Sequence, residues 1–265
     1  YYILLNSDIE VTDGWVEPML DHLEENPTVA GCQPKILAYH DKAKFEHAGA
    51  SGGFLDKNYY PFCRGRIFDS TEEDQQQYND IIPIFWASGA SLMIRSNIYH
   101  EAGGLDESFF AHMEEIDLCW RIQNMGFHFS CVPTSTVYHV GGGTLNYMNP
   151  KKTYLNFRNS LYMIGKNHRG ILVFKLFKRL CLDGLASFKF LLSGDFKHII
   201  ALIKAHMHFY GNLKSILRKR AKFKSSFQLK GNKDLIGLYR SNIILDKFMR
   251  GKAKFSDLDS SKIND

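Results

Sequence analysis

Tyr1–Val11 reads YYILLNSDIEV, an apolar run that ends in Asn6, Ser7 and Asp8. A short apolar segment closed by a polar turn has the pattern of a buried strand. The segment at 13–27, DGWVEPMLDHLEENP, spaces Trp15, Met19, Leu20 and Leu23 at near-helical intervals and stops at Asn26–Pro27, which predicts a helix. VAGCQPKIL at 29–37 predicts a second strand. Strand, helix, strand is the βαβ unit of a parallel α/β sheet, in which ligands bind beyond the carboxyl ends of the strands. The run LNSD therefore delivers Asn6 and Asp8 to that edge. A carboxylate there can hold Mg²⁺ or Mn²⁺, hard cations that bridge phosphate oxygens. It can equally be a turn or cap residue.

Further along, 38–80 is rich in glycine and polar residues, and IIPIFWASGASLMIR at 81–95 resumes strand character around a small-residue turn. SNIYHEAGG predicts a short helix with Ser96 as N-cap and Gly103 as its stop, and EEIDLCWRIQNMG a helix ending at Gly126. FHFSCVP and STVYHV predict two strands ahead of a flexible GGGT loop. After Pro150 four helices are predicted, at roughly 152–168, 171–192, 196–222 and 232–250. From Asp257 onward the sequence predicts a frayed tail. The organisation that follows is an α/β region at 1–150, a basic helical region at 151–250 and a tail at 251–265.

Charge divides the same way. Residues 1–150 carry 8 Lys/Arg against 21 Asp/Glu, and residues 151–265 carry 25 against 7. An acidic region suits a metal or polar-substrate site, and a basic aromatic region suits an anionic surface. The helix at 171–192 is interrupted by Lys175, Lys178, Arg179, Asp183 and Lys189, so its pattern is that of a helix lying in a membrane interface or packed on the domain, not spanning a bilayer. The five cysteines form no C-x-x-C pair, which fits a reduced, cytoplasmic setting better than a zinc ribbon or disulfide scaffold.

Two further clusters can carry chemistry. In GGLDESFFAHMEEIDLCWR, Glu114, Glu115 and Asp117 crowd one helical turn, and Asp117 and Arg121 stand four apart. Crowded carboxylates repel, which raises a pKa toward that of a general base working near neutrality, although an acidic first turn also suits the helix dipole. His139 ends a strand before three glycines, where it can ligate a metal or be structural.

In combination these stretches resemble a family 2 glycosyltransferase of the GT-A fold, rhamnosyltransferase-like branch. The resemblance rests on LLNSDIEVTDGWVEPML, ASGASLMIRSNIYHEAGGLDESFFAHMEEIDLCWRIQNMGF, VYHVGGGT and NFRNSLYMIGKN, over roughly 1–167. It implies that Asn6-Ser7-Asp8 is the element that binds the nucleotide diphosphate and metal, with Asn in place of its first acidic residue. It implies Asp8 and His139 as metal ligands, Glu115 as the base where the family usually has Asp, and Glu114 and Asp117 beside it. Trp86, Ser88, Gly89, Ala90 and Arg121 then line the donor and acceptor pocket.

The implied fold is the C-terminal part of a GT-A domain without its nucleotide-binding half, followed by amphipathic helices. The chain alone is then expected neither to bind nucleotide sugar tightly nor to turn it over. The implied partners are a nucleotide-sugar donor, a glycan or lipid-linked acceptor, and an anionic membrane on the cytoplasmic face, with no nucleic acid. A non-catalytic membrane-surface scaffold is the rival reading, under which loss of Asp8, Glu115 or His139 leaves function intact.

Overall fold

Two β-sheets share the main hydrophobic core of the chain, whose computed structural model describes residues 1–141, 149–226 and 235–264. In chain order, β1 (Tyr2–Leu5), β2 (Ile9–Val11), α1 (Glu17–Glu25) and β3 (Val29–Ala38) open the molecule. Four short strands follow: β4 (Gly53–Asp56), β5 (Pro61–Cys63), β6 (Arg66–Ile67) and β7 (Ser70–Thr71). Next come β8 (Ile82–Ile84), β9 (Ser91–Ile94), α2 (Ser96–Glu101), α3 (Glu114–Met125) and β10 (His128–His139). The helices α4 (Pro150–Asn167), α5 (Leu172–Leu192), α6 (Phe196–Gly211) and α7 (Leu213–Ser226) precede β11 (Leu238–Tyr239) and α8 (Ile243–Phe248).

The first sheet has the order β1-β9-β3-β10-β2, with β8 also on β10. It is mixed, not parallel as the βαβ reading implies. Only β3 and β10 pair in parallel, and β9 inserts antiparallel between β1 and β3. α1 covers one face, where Met19 and Leu23 meet Val29, Cys32, Met93 and Val132. The opening strand is not buried: β1 pairs on one side only, and Ile3 and Leu5 are exposed.

Within 38–80, where the glycines and polar residues predict an irregular stretch, residues 53–71 instead form a second sheet with β11, in the order β11-β4-β5-β6-β7. Its strands are two to four residues long, too short to show a period in sequence. A glycine is required at 53, because a Cβ there would lie 2.1 Å from the Trp86 indole. The two predicted strands after Gly126 are one, β10, which continues through Pro133 with a register shift between Val132 and Thr136.

Other boundaries also move. The N-cap of α2 is Arg95, not Ser96. The predicted helix 196–222 breaks at Asn212, whose side chain donates to the His208 carbonyl (2.9 Å). Of the predicted helix 232–250, residues 232–234 lie outside the described residues, and the remainder holds β11 and α8. The predicted tail is tied down: Phe255 packs on Phe54 with ring centroids 5.0 Å apart, and Ile263 bridges Tyr239. The glycine loop at 142–144 lies outside the described residues.

Candidate functional site

The turn between β1 and β2 places Asp8 beside the end of β10. His139 pairs in register with Ile9, and the Val140 amide donates to the Asp8 carbonyl at 3.1 Å. The side chains meet there, with His139 Nε2 3.2 Å from Asp8 Oδ1. The other ring nitrogen, Nδ1, lies 3.2 Å from Glu46 Oε2. Burial works against a charged imidazole, but Glu46 and then Asp8 outweigh it and raise the His139 pKa above its ordinary value. Glu46 is held by the Ala48 amide, which donates to Oε2. Sequence reading missed Glu46, because the turn around it carries no motif and only the fold brings 46 to 139.

One small-residue turn joins this cluster to the carboxylates of α3. Leu5 pairs with Ser91, and the Asn6 amide donates to the Ala90 carbonyl at 3.0 Å. A Cβ built on Gly89 would stand 3.6 Å from the Glu115 Cβ. The turn is itself fixed: the Ser88 amide donates to Gln33 Oε1 (2.9 Å), and Ser88 Oγ accepts from the Ala90 amide (3.2 Å). Asp8 and His139 on one side and Glu115 on the other therefore flank 87–91.

The approach to α3 is strained. Phe110, His112 and Met113 all have positive φ, which costs non-glycine residues energy. Phe110 (φ 67°, ψ −59°) is the apex of a γ-turn closed by a 2.9 Å bond from the Ala111 amide to the Phe109 carbonyl. α4 holds this loop. Asn159 Nδ2 donates to the carbonyls of Phe109 (3.0 Å), Ala111 (2.7 Å) and His112 (2.7 Å). Arg158 donates to the Ser108 and Phe109 carbonyls at 3.2 and 2.6 Å. Both residues stand in NFRNS, so the signal was present, but a run on a different helix does not reveal which loop it clamps.

Beyond the loop, Glu114 and Glu115 each keep a buried Oε2 with no hydrogen-bond partner among the described residues. Burial, with Glu114 beside it, pushes the Glu115 carboxyl up to about 8, and burial raises Glu114 as well. Unpartnered buried carboxylate oxygens are costly and uncommon, and here two of them lie in adjacent residues beside a turn of small residues.

Three residues expected in the site are placed elsewhere. Asp117 is fully buried with both oxygens engaged: Oδ2 by Arg121 Nε (2.9 Å) and Lys166 Nζ (2.7 Å), Oδ1 by Asn167 (2.7 Å). Burial disfavours its charge, but Lys166 and Arg121 outweigh this and hold its pKa below the ordinary value. The remaining guanidinium nitrogens of Arg121 donate to the carbonyls of Ala102 and Gly104, the latter at 2.7 Å, so each of its three nitrogens is engaged within the protein. Trp86 is buried against Gly53 with its indole N–H on the Phe54 carbonyl (3.0 Å). These are packing and positioning roles. By contrast, Asn6 and Ser7 are exposed in the β1–β2 turn.

The chain is similar to glycosyltransferases. It is 26% identical over 142 residues to a pre-mycofactocin glycosyltransferase of Mycobacterium tuberculosis, covering 52% of this chain and 26% of that one. It is 24% identical over 143 residues to the N-acetylglucosaminyl-diphospho-decaprenol L-rhamnosyltransferase of the same organism, covering 52% and 46%. With the rhamnosyltransferase WbbL of Escherichia coli it shares 23% identity over 141 residues, covering 52% of each. The chain thus spans about half the length of these relatives or less. No family profile matches. Among solved structures, that of GalNAc-T7 with UDP, GalNAc and Mn²⁺ aligns with 62% of this chain and 31% of that one, at 15% identity and a TM-score of 0.42.

Proposed function

We propose that this site moves a sugar from a nucleotide-sugar donor to a hydroxyl of a glycan or lipid-linked acceptor, with inversion at the anomeric carbon. One observation carries the reading. A carboxylate–imidazole pair, Asp8 and His139, and two adjacent carboxylates, Glu114 and Glu115, each with one buried oxygen lacking a partner among the described residues, flank a single small-residue turn. The similarity to glycosyltransferases supports it.

A divalent cation, Mg²⁺ or Mn²⁺, fits the donor set. Asp8 Oδ1 and His139 Nε2 converge within 3.2 Å, and Glu46 on the far ring nitrogen orients the imidazole as second-shell carboxylates do. Among the described residues no group of three or more His, Cys, Asp or Glu could hold a metal, so Asp8 and His139 would supply two ligands and leave the others to phosphate and water. Such an ion, when bound, neutralises charge on the departing diphosphate.

Glu115 takes the proton of the acceptor hydroxyl. The hydroxyl oxygen forms its bond to the anomeric carbon on the face opposite the diphosphate. The carbon–oxygen bond to phosphate breaks, its electron pair leaving with the nucleoside diphosphate. The raised pKa of Glu115 suits a proton acceptor near neutral pH. Glu114 keeps the pocket acidic, and Ser88, Gly89 and Ala90 leave room for the sugar. A lipid-linked acceptor would place the protein peripherally on the cytoplasmic face of the plasma membrane.

The test uses Glu115→Gln in the protein that carries this chain, assayed against a panel of nucleoside diphosphate sugars by product chromatography. Turnover should fall by roughly 10²–10⁴-fold, the usual loss for a general base, with no loss of thermal stability. Turnover within a few-fold of wild type would exclude Glu115 as the base, and a wild-type protein that turns over none of the donors would favour the non-catalytic scaffold.

A further inference from the structure

α5 is turned inside out. In a helix packed on a soluble domain the apolar stripe faces the protein and the charges face water. Here Arg179 and Asp183 point inward and are buried. Arg179 Nε pairs with Asp183 Oδ1 (2.8 Å), His206 of α6 lies 3.0 Å from Asp183 Oδ2, and the Arg179 guanidinium sits 4.1 Å from the Tyr60 ring centroid. Lys175 also turns inward, donating to the Lys57 carbonyl at 2.8 Å. The large apolar residues are on the outside: Phe174 is 70% exposed, and Phe177, Leu185 and Phe188 continue its stripe.

α6 repeats the arrangement. Its Leu202, Ala205 and Phe209 are buried, whereas Phe196, Ile200, Ile203 and Met207 form an exposed stripe at helical spacing. Gly194 (φ 75°) turns the chain between the two helices, and Phe190 stacks on His198 at 5.1 Å, so α5 and α6 form one hairpin. An apolar face of this size is far from the scattered exposed residues of an ordinary surface.

The charges say what covers it. Residues 171–224 carry twelve Lys/Arg and two Asp/Glu. Asp183 is buried and Asp195 is bonded to Ser193 Oγ (2.9 Å), while Lys178, Lys189, Lys197 and Lys204 are exposed along the apolar stripes. A second copy of the same face would bring like charges together. An anionic lipid surface complements both features, because lysine stems lie along the apolar layer and their ammonium groups reach headgroup phosphates. No helix among the described residues is long and apolar enough to cross a membrane, which leaves a helix pair lying in one leaflet.

We propose that the outer face of the α5–α6 hairpin inserts into the interface of an anionic bilayer, carrying the protein on the membrane. The proposal stands on this surface and not on the reaction at Glu115. It also has a structural consequence for the site: α4, whose Arg158 and Asn159 hold the loop before α3, is the helix on which α6 packs.

The experiment is co-sedimentation of the full chain with sucrose-loaded vesicles of phosphatidylcholine alone or mixed with phosphatidylglycerol. Binding to the mixed vesicles should exceed binding to phosphatidylcholine by about tenfold or more, as expected when several lysines meet anionic lipid. The triple variant Phe174→Glu, Phe177→Glu, Phe188→Glu should lose at least about tenfold in binding with an unchanged circular dichroism spectrum, since removing an inserted apolar face removes most of its affinity. A polarity-sensitive dye on exposed Cys181, the other four thiols being buried, should shift to the blue on mixed vesicles. Failure to bind mixed vesicles, equal binding by the triple variant, or an unshifted dye would overturn the proposal. So would light scattering that shows a dimer dissolved by the triple variant in a protein that ignores vesicles.

Discussion

Glu115 and Asp117 stand two residues apart on α3, carry the same acidic group and are both largely shielded from water, yet their surroundings divide them. Asp117 has a cation or amide on each oxygen and its pKa is held down. Glu115 has an oxygen without a partner and its pKa is pushed up. The difference comes from the helix period. Two positions turn the side chain by more than half a circle, so Asp117 faces α4, with Lys166 and Asn167, while Glu115 faces the turn at Gly89. One carboxylate fixes the helix in place, and the other keeps an oxygen without a partner among the described residues.

The sharpest way to break this comparison is to remove each carboxylate in turn and follow stability. Asp117→Ala leaves Arg121 buried without its counter-charge and Lys166 with Asp106 alone, and should cost about 3–5 kcal/mol, read as a large fall in melting temperature. Glu115→Gln should do the opposite, and the effect depends on pH. The folded pKa of Glu115 lies above that of an unfolded glutamate. Wild type therefore loses stability as pH rises from the ordinary carboxylate range through about 8, because the unfolded glutamate ionises there while the folded one keeps its proton. The Gln variant lacks this loss. Its stability relative to wild type should grow across that window and level off above it. Parallel melting curves from pH 5 to 9 check this, and curves that stay a constant distance apart would mean that Glu115 is ionised throughout.

A smaller effect tests how the reactive side is held. Asn159→Ala removes three hydrogen bonds to the carbonyls of Phe109, Ala111 and His112. The expected cost is about 1–3 kcal/mol, the range for leaving buried backbone acceptors unpaired. Because the loop leads directly into Glu114 and Glu115, turnover should fall further than acceptor affinity. A change confined to affinity would place the loop in binding alone.

The same comparison shows what was legible in sequence. The span of α3 and its stop at Gly126 follow from apolar spacing and a left-handed glycine, and both are found in the structure. The crowding of three acids was legible too, but not their division, since Lys166 and Asn167 lie some fifty positions away. The inverted α5 was half legible. The spacing puts Lys175, Lys178 and Arg179 on one face, but only the fold shows that Lys175 and Arg179 turn toward Tyr59, Tyr60 and Asp183 while Lys178 stays exposed.

The smallest expected effect concerns strain on the reactive side, which Asp117 and its partners do not bear. Phe110 is 73% exposed, so little burial compensates its γ-turn conformation. Lys151 Nζ lies 5.2 Å from its ring centroid. Phe110→Gly relieves the backbone and loses this cation–π contact, whereas Phe110→Ala loses the contact and keeps the strain. Each term is of order 1 kcal/mol or less at an exposed site. Gly should therefore be more stable than Ala at this position, although glycine ordinarily costs stability relative to alanine through backbone entropy. If Ala is the more stable of the two, the loop stores no strain at Phe110, and the placement of Glu115 rests on the Arg158–Asn159 clamp alone.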